Sequence, residues 1–305
     1  MAYRENLAAI DIGSNAIRMV IAERSHHEMK ILKKFRFPIR LGADVFEKGK
    51  ISGKNLKASA RNFEKFKDLA EDYKVKKIKA VGTSALREAE NQKQFVELIR
   101  RKSRINIEVI DGVEEAKLIH LAVKNELDLE KHQVLLLDIG GGSVELTFSE
   151  NSLMTATQSF PFGTVRTLEL MKKKKVTESN LAAVVGEFVA PLSHFLHSQA
   201  GTRKLEFAVG TGGNIETLGK LKPTLLGKNA RTFITFEELS EIIEIIKKAS
   251  YKERIEKWKL REDRADVILP AATLAQTVMR QASLSKLLIP YVGLKDGLLW
   301  DMVKS

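Results

Sequence analysis

The segment IDIGSNAIRMVIAE (residues 10–23) returns as LDIGGGSVELTFSE (residues 137–150), which sets Asp11 on Asp138, Ile12 on Ile139, Gly13 on Gly140 and Glu23 on Glu150. Ala80-Val81-Gly82-Thr83 returns as Ala208-Val209-Gly210-Thr211 at nearly the same spacing. Two strand-to-glycine signals repeated in step require a chain that builds one supersecondary plan twice. The expected architecture is therefore a duplicated α/β domain. The first unit is read as residues 1–127 with a closing helix over 294–305 packed back on it, the second as 128–293. The connection falls in the polar segment NELDLEKHQ, residues 125–133.

Local patterns agree with that plan. LAAIDIG with AIRMVIAE, and VLLLDIG with SVELTFSE, are apolar runs separated by tight Gly/Ser/Asn turns, so each pair is predicted to be a hairpin. Leu56, Ala60, Phe63 and Phe66 mark one helix; Leu181, Val184, Val185, Phe188 and Leu192 mark another, with a kink expected at Pro191. Thr235 and Glu238 form a capping box ahead of Leu239, Ile242, Ile243 and Ile246. Pro270 either opens a helix or bends one. These apolar stripes are core and carry no chemistry.

Composition excludes several classes. The chain has 305 residues and 44% hydrophobic content, enough to fill two cores. It lacks cysteine, which removes disulfides, thiolate metal sites and a cysteine nucleophile. No apolar run reaches the 18 or so residues a bilayer span needs, and the first residues enter a strand pattern without a signal-peptide core. A cytoplasmic protein with no membrane partner is expected. The net charge of +12 favours a polyanionic partner. Nucleic acid, the default partner for such a charge, is not expected: aromatics are 7%, and zinc-finger spacing, basic heptads and RNP-type motifs are all missing. None of the six histidines has metal-ligand spacing or a serine partner in an elbow motif.

The two aspartates decide the chemistry. A Walker loop would end in Gly-Lys-Ser/Thr, and a dinucleotide fingerprint would lie between a strand and a helix; here strand follows turn follows strand. Glycine-rich turns offer N–H groups to phosphate, while an acid beside a phosphate is repulsive unless a cation lies between them. Asp11 and Asp138 are therefore candidate ligands for Mg²⁺ or another divalent cation, against the simpler role of capping a turn. Where the first hairpin has Arg18, the second has Glu145: a phosphate clamp in one half, a metal or water ligand in the other.

Taken in order, DIGSN with Arg18, VGTSALREAEN (81–91), IDGVEEAKL (110–118), LDIGGGSVEL and VGTGGN (209–214) resemble the exopolyphosphatase and guanosine pentaphosphate phosphohydrolase family. FPIRLGADVFEKGKIS (37–52) and RADVILPAATLAQTVM (264–279) extend the resemblance over nearly the whole chain, in the family's short two-domain form. The resemblance implies the sugar kinase, heat-shock protein and actin superfold, ribonuclease H-like, with a cleft between two actin-like domains that closes on substrate.

It also implies residue roles. Glu115, the second glutamate of the EEA motif, is the implied general base. Asp111 and Glu114 read as a capping box, whereas Glu115 shares a helical face with Leu118, Ile119 and Ala122, an apolar setting that makes a carboxylate a better proton acceptor near neutral pH. Asp138 and Glu145 are the implied metal and catalytic carboxylates. The implied phosphate loops are Gly13, Ser14 and Asn15; Gly141, Gly142 and Ser143; and Gly212 and Gly213, with Arg18, Arg87 and Arg264 as clamps. Asn214 stands where members have a hydroxyl residue, which weakens one phosphate contact, and PYVGLKDG (290–297) replaces the more typical serine–aspartate, Arg–Glu version.

The implied reaction is in-line attack of water on a terminal phosphoryl group of inorganic polyphosphate or guanosine pentaphosphate, in a homodimer. Lys172 to Lys175, read as a solvated loop, adds to the basic excess that could track a phosphate chain. Two other classes are weighed: a guanosine tetra- or pentaphosphate-binding regulator without turnover, and an ATP-dependent small-molecule kinase of the same superfold.

Overall fold

A computed structural model describes residues 4–25, 28–200 and 204–304. The chain forms two compact units, Met1–Ala122 with Gly293–Ser305, and Val123–Val292. In the first, β1 (Glu5–Ile12), β2 (Ile17–Arg24) and β3 (Met29–Phe37) are followed by α1 (Leu41–Lys48), α2 (Gly53–Asp72), β4 (Val75–Gly82), α3 (Ser84–Glu88), α4 (Gln92–Ser103), β5 (Ile107–Val109) and α5 (Gly112–Glu126). In the second, β6 (Gln133–Ile139), β7 (Val144–Glu150) and β8 (Leu153–Phe160) are followed by α6 (Thr164–Lys174), a 3₁₀ turn (Glu178–Asn180), α7 (Leu181–Ala200), β9 (Phe207–Thr211) and α8 (Gly213–Leu226). Then come β10 (Phe233–Thr235), α9 (Phe236–Lys248), α10 (Tyr251–Glu256), α11 (Glu262–Ala265), α12 (Ile268–Gln281) and β11 (Lys286–Leu288), before α13 (Leu294–Lys304) returns to the first unit.

The strand orders show the duplication directly. The first sheet runs β3-β2-β1-β4-β5; the second runs β8-β7-β6-β9-β11 and adds β10 at its edge. In each, the first three strands are antiparallel neighbours and the next two add in parallel. The fold class is α/β with mixed sheets. Alternation along each hairpin sorts its side chains between the sheet faces. Ala8, Ile10 and Ile12 with Ile17, Met19 and Ile21 enter the first core; Leu135, Leu137 and Ile139 with Val144, Leu146 and Phe148 enter the second. Asp11, Arg18, Asp138 and Glu145 consequently project from the opposite faces.

Several elements differ from the expectation or sharpen it. The junction between units lies inside α5 and not in residues 125–133, because the helix runs unbroken through it. Pro191 sits within an α7 that continues to Ala200, and Pro270 occupies the first turn of α12, where its missing N–H is harmless. Lys172, Lys173 and Lys174 are not a loop but the last turn of α6, with Lys175 as its left-handed C-cap. Cations there oppose the negative end of the helix dipole, and Lys172 and Lys174 pair with Glu169 and Glu187. The Thr235–Glu238 capping box is complete. α13 lies on β1, β4 and β2, tied by Lys79 to Asp301 at 2.7 Å; Ser305, the end of the expected helix, is outside the described residues. Among the described residues, no helix is long and apolar enough to cross a membrane.

Candidate active site

The second unit's glycine corner is built from a row of four strands. Thr211 on β9 is the register partner of Asp138 on β6, Asp138 of Glu145 on β7, and Glu145 of Ser159 on β8. Carboxylate oxygens of Asp138 and Glu145 lie within 4.8 Å of one another, in side chains 9% and 2% exposed. Each acid is oriented by a flanking hydroxyl: Thr211 donates to Asp138 Oδ1 at 2.5 Å, and Ser159 donates to Glu145 Oε1 at 2.7 Å. Two buried carboxylates this close repel each other unless a proton or a cation intervenes. Hard oxygen donors of this kind suit Mg²⁺ or Mn²⁺.

The adjoining loop is fixed by the start of α6. Gly140 N–H closes the turn on Ser143 O at 3.1 Å, while Thr164 N–H donates to Gly140 O at 3.0 Å and Val165 N–H to Gly141 O at 2.8 Å. Arg166 adds its backbone N–H to Gly141 O at 3.1 Å and its Nε–H to Gly142 O at 2.8 Å. The approach demands a bare residue at 163, where a Cβ would lie 2.2 Å from Gly142 N.

The first unit repeats the turn with different side chains. Gly13 N–H closes on Ala16 O at 3.2 Å, the counterpart of Gly140 and Ser143. Gly42 N–H, from the first turn of α1, donates to Ser14 O at 2.8 Å, and Arg40 Nε–H donates to Asn15 Oδ1 at 2.9 Å. Asp11 here faces a cation: Arg18, its register partner, donates to Asp11 Oδ2 at 2.7 Å. Arg36 is the next residue in that row, on β3.

The remaining expected residues are distributed as follows. Gly212 is the N-cap of α8 with φ +87°, a conformation other residues resist, and Gly213 opens the helix. Asn214 is buried; it donates to Thr164 Oγ1 at 3.2 Å and accepts from the buried Arg264 guanidinium. Asn214 thus ties α8 to α6 and α11. Arg87 Nη1–H donates to Ile110 O at 2.7 Å, which secures the loop before α5. Glu115 lies in the first turn of α5, 7% exposed, with Leu118, Ile119 and Ala122 also buried. Of the capping box at that helix start, the half in which Asp111 accepts from Glu114 N–H is present at 2.8 Å; the Glu114 carboxylate lies 3.5 Å from Lys117.

Thr211, Ser159, Gly163, Arg166 and Arg40 were not singled out in the sequence. Thr211 had a signal: it occupies the residue after Gly210 in the repeat, where Thr83 stands in the first half. Ser159 becomes visible only when the strands are set in register, and Gly163, Arg166 and Arg40 only when the helix starts meet the glycine loops.

Known proteins agree with this architecture. The model of the Ppx/GppA phosphatase family matches residues 19–305. Exopolyphosphatase 1 of Mycobacterium leprae is 25% identical over 305 residues, covering 98% of this chain and 90% of its own. The guanosine-5'-triphosphate,3'-diphosphate pyrophosphatase of Aliivibrio fischeri is 26% identical over 297 residues; the alignment covers 97% of this chain and 59% of that protein's length. The crystal structure of an exopolyphosphatase from Cytophaga hutchinsonii superimposes with a TM-score of 0.88 at 24% identity over 98% of both chains, so the two chains share one fold. An Aquifex aeolicus member of the Ppx/GppA family gives a TM-score of 0.77 at 27% identity, covering 99% of this chain and 98% of that one. By motif order, fold and full-length match, the chain belongs to the Ppx/GppA phosphatase family, and its enzyme class is that of the phosphoric anhydride hydrolases.

Proposed function

We propose that the protein removes the terminal phosphoryl group of inorganic polyphosphate by attack of water, and accepts guanosine pentaphosphate as a second substrate. The observation that carries the reading is the hydroxyl-flanked pair Asp138 and Glu145 at the mouth of a glycine loop. These two carboxylates are the proposed ligands of a divalent cation, with Asp11 a third through the oxygen that Arg18 does not take. When bound, such a cation neutralises phosphoryl oxygens and polarises phosphorus toward attack.

The protein's own groups supply the rest. Glu115 accepts the proton of the attacking water, a role worth roughly 10²–10⁴ in rate. Because Gly13 and Gly140 spend their N–H groups closing their own turns, phosphate oxygens are received by the N–H groups of Ser14 and Asn15, of Gly141, Gly142 and Ser143, and of Gly213. Arg18 exchanges Asp11 for a phosphate oxygen, with Arg87 and Arg264 as further clamps. The homodimer, carried over from the family resemblance, and the cytoplasmic setting, read from the sequence pattern, belong to the same reading.

Phosphate release from polyphosphate, guanosine pentaphosphate and ATP, compared in one assay with Mg²⁺ and with chelator, tests it. Release from polyphosphate without an added acceptor, lost with chelator and reduced about 10²–10⁴-fold in Glu115→Gln, is the expected outcome. Transfer from ATP to a sugar or carboxylate acceptor, or ligand binding with wild type and variant equally inert, would replace it by the kinase or the regulator. Light scattering checks the dimer.

A further inference from the structure

We infer that the first turn of α6 is a template for the phosphate loop, and that Arg166 is the positioning residue that completes it. The carbonyls of Gly140, Gly141 and Gly142 are taken in succession by Thr164 N–H, by Val165 and Arg166 N–H, and by Arg166 Nε–H. Among the described residues every peptide bond is trans, so each carbonyl of the loop opposes the N–H of the residue that follows it. Turning three successive carbonyls toward α6 therefore turns the N–H groups of Gly141, Gly142 and Ser143 the other way, into one anion-binding concavity.

The helix thus acts on the anion at one remove. Its positive end polarises the loop's peptide groups, and those peptides present their N–H ends to phosphate. Gly163 makes the approach possible, since a Cβ there would lie 2.2 Å from Gly142 N. The first unit carries a partial counterpart, where Gly42 N–H takes the Ser14 carbonyl while Arg40 Nε–H takes the side-chain Oδ1 of Asn15 and not a backbone carbonyl. In both halves the helix after the third strand supplies the N–H, and an arginine Nε reaches the third residue of the loop.

The inference rests on the hydrolase reading, and the experiment separates the two. Isotope-labelled full-length protein is titrated with tripolyphosphate, following the amide resonances of Gly141, Gly142 and Ser143, and phosphate release from tripolyphosphate is measured in wild type, Arg166→Met and Arg166→Lys. The three amides are expected to shift together in wild type. Because outright loss of one such donor costs about 10²–10³ in kcat, misalignment in Arg166→Met is expected to lower kcat about tenfold. A lysine keeps the charge but not the planar fork, so Arg166→Lys is expected to be as impaired as Arg166→Met. Recovery of wild-type kcat in Arg166→Lys would assign the residue a charge role and overturn the template. Amides that stay still at saturating tripolyphosphate overturn it as well. Shifting amides without phosphate release support the template and refute the hydrolase reading alone.

Discussion

Replacing Glu145 with glutamine should make the metal-free protein more stable while removing its response to divalent cations. Asp138 and Glu145 hold carboxylate oxygens within 4.8 Å and are almost shielded from water, so two ionised charges there repel by about 3.5 kcal/mol at an effective dielectric constant of ~20. Residual solvent screening and local relaxation lower the relief on neutralising one of them to about 2 kcal/mol. Glutamine keeps the carbonyl oxygen that accepts from Ser159 at 2.7 Å, so the flanking hydrogen bond survives. For a unit of this size the gain corresponds to a rise in Tm of about 4–8 °C. Thermal and urea unfolding with EDTA, and again with excess MgCl₂, is the assay. Wild type should gain stability from Mg²⁺ by mass action, and Glu145→Gln should gain little. A variant less stable than wild type in EDTA, or one equally stabilised by Mg²⁺, would show that the two acids are not a mutually repelling cation pair.

Other perturbations follow from named contacts. Thr211→Val removes the hydroxyl donor to Asp138 at 2.5 Å without changing side-chain shape; a loss of about 1.5–3 kcal/mol, the value of a hydrogen bond to a charged group, is expected in urea unfolding, together with weaker Mg²⁺ activation. Arg254 is 1% exposed and binds both oxygens of Glu178 at 2.9 and 2.5 Å as well as the carbonyls of Ala265 and Ile246; Arg254→Lys loses the fork and should cost about 2–4 kcal/mol in the same measurement. Lys222, 1% exposed, lies 2.7 Å from Glu238. Burial pulls the Glu238 carboxyl up, but bonds from Lys222, the Thr235 N–H and Lys228 outweigh it and hold the group below its ordinary value of 4.5. The folded state therefore favours this carboxylate more than the unfolded chain does, so its contribution is complete above pH 4.5 and falls away as pH drops through the lower folded value. Lys222→Met should destabilise the protein at neutral pH and flatten the acid limb of its stability curve, as followed by circular dichroism.

The legible parts of the molecule are those in which one stretch of chain contains its own partner. The hairpins of β1 with β2 and β6 with β7 each close over four residues, 13–16 and 140–143, so alternation and glycine announce them. The Thr235–Glu238 capping box spans one helical turn and reads equally well. Lysines 172 to 175 misled for a related reason: a charge run looks like a solvated loop, yet the last turn of a helix is also a favourable place for cations. The junction inside α5 was missed because polar residues on a helix face resemble those of a linker.

The site separates along the same line. The repeat by itself determined that aspartates end two equivalent strands beside glycine turns, and that one hairpin carries Arg18 where the other carries Glu145, because strand periodicity dictates which residues share a face. Tertiary structure alone decided what holds those groups in place: Thr211 reaches Asp138 across 73 residues, and Arg166 reaches Gly142 across 24. Such partners are chosen by the parallel joining of β9 to β6 and by the docking of α6 on the loop, and no local pattern in a chain records which distant carbonyl its side chains will meet.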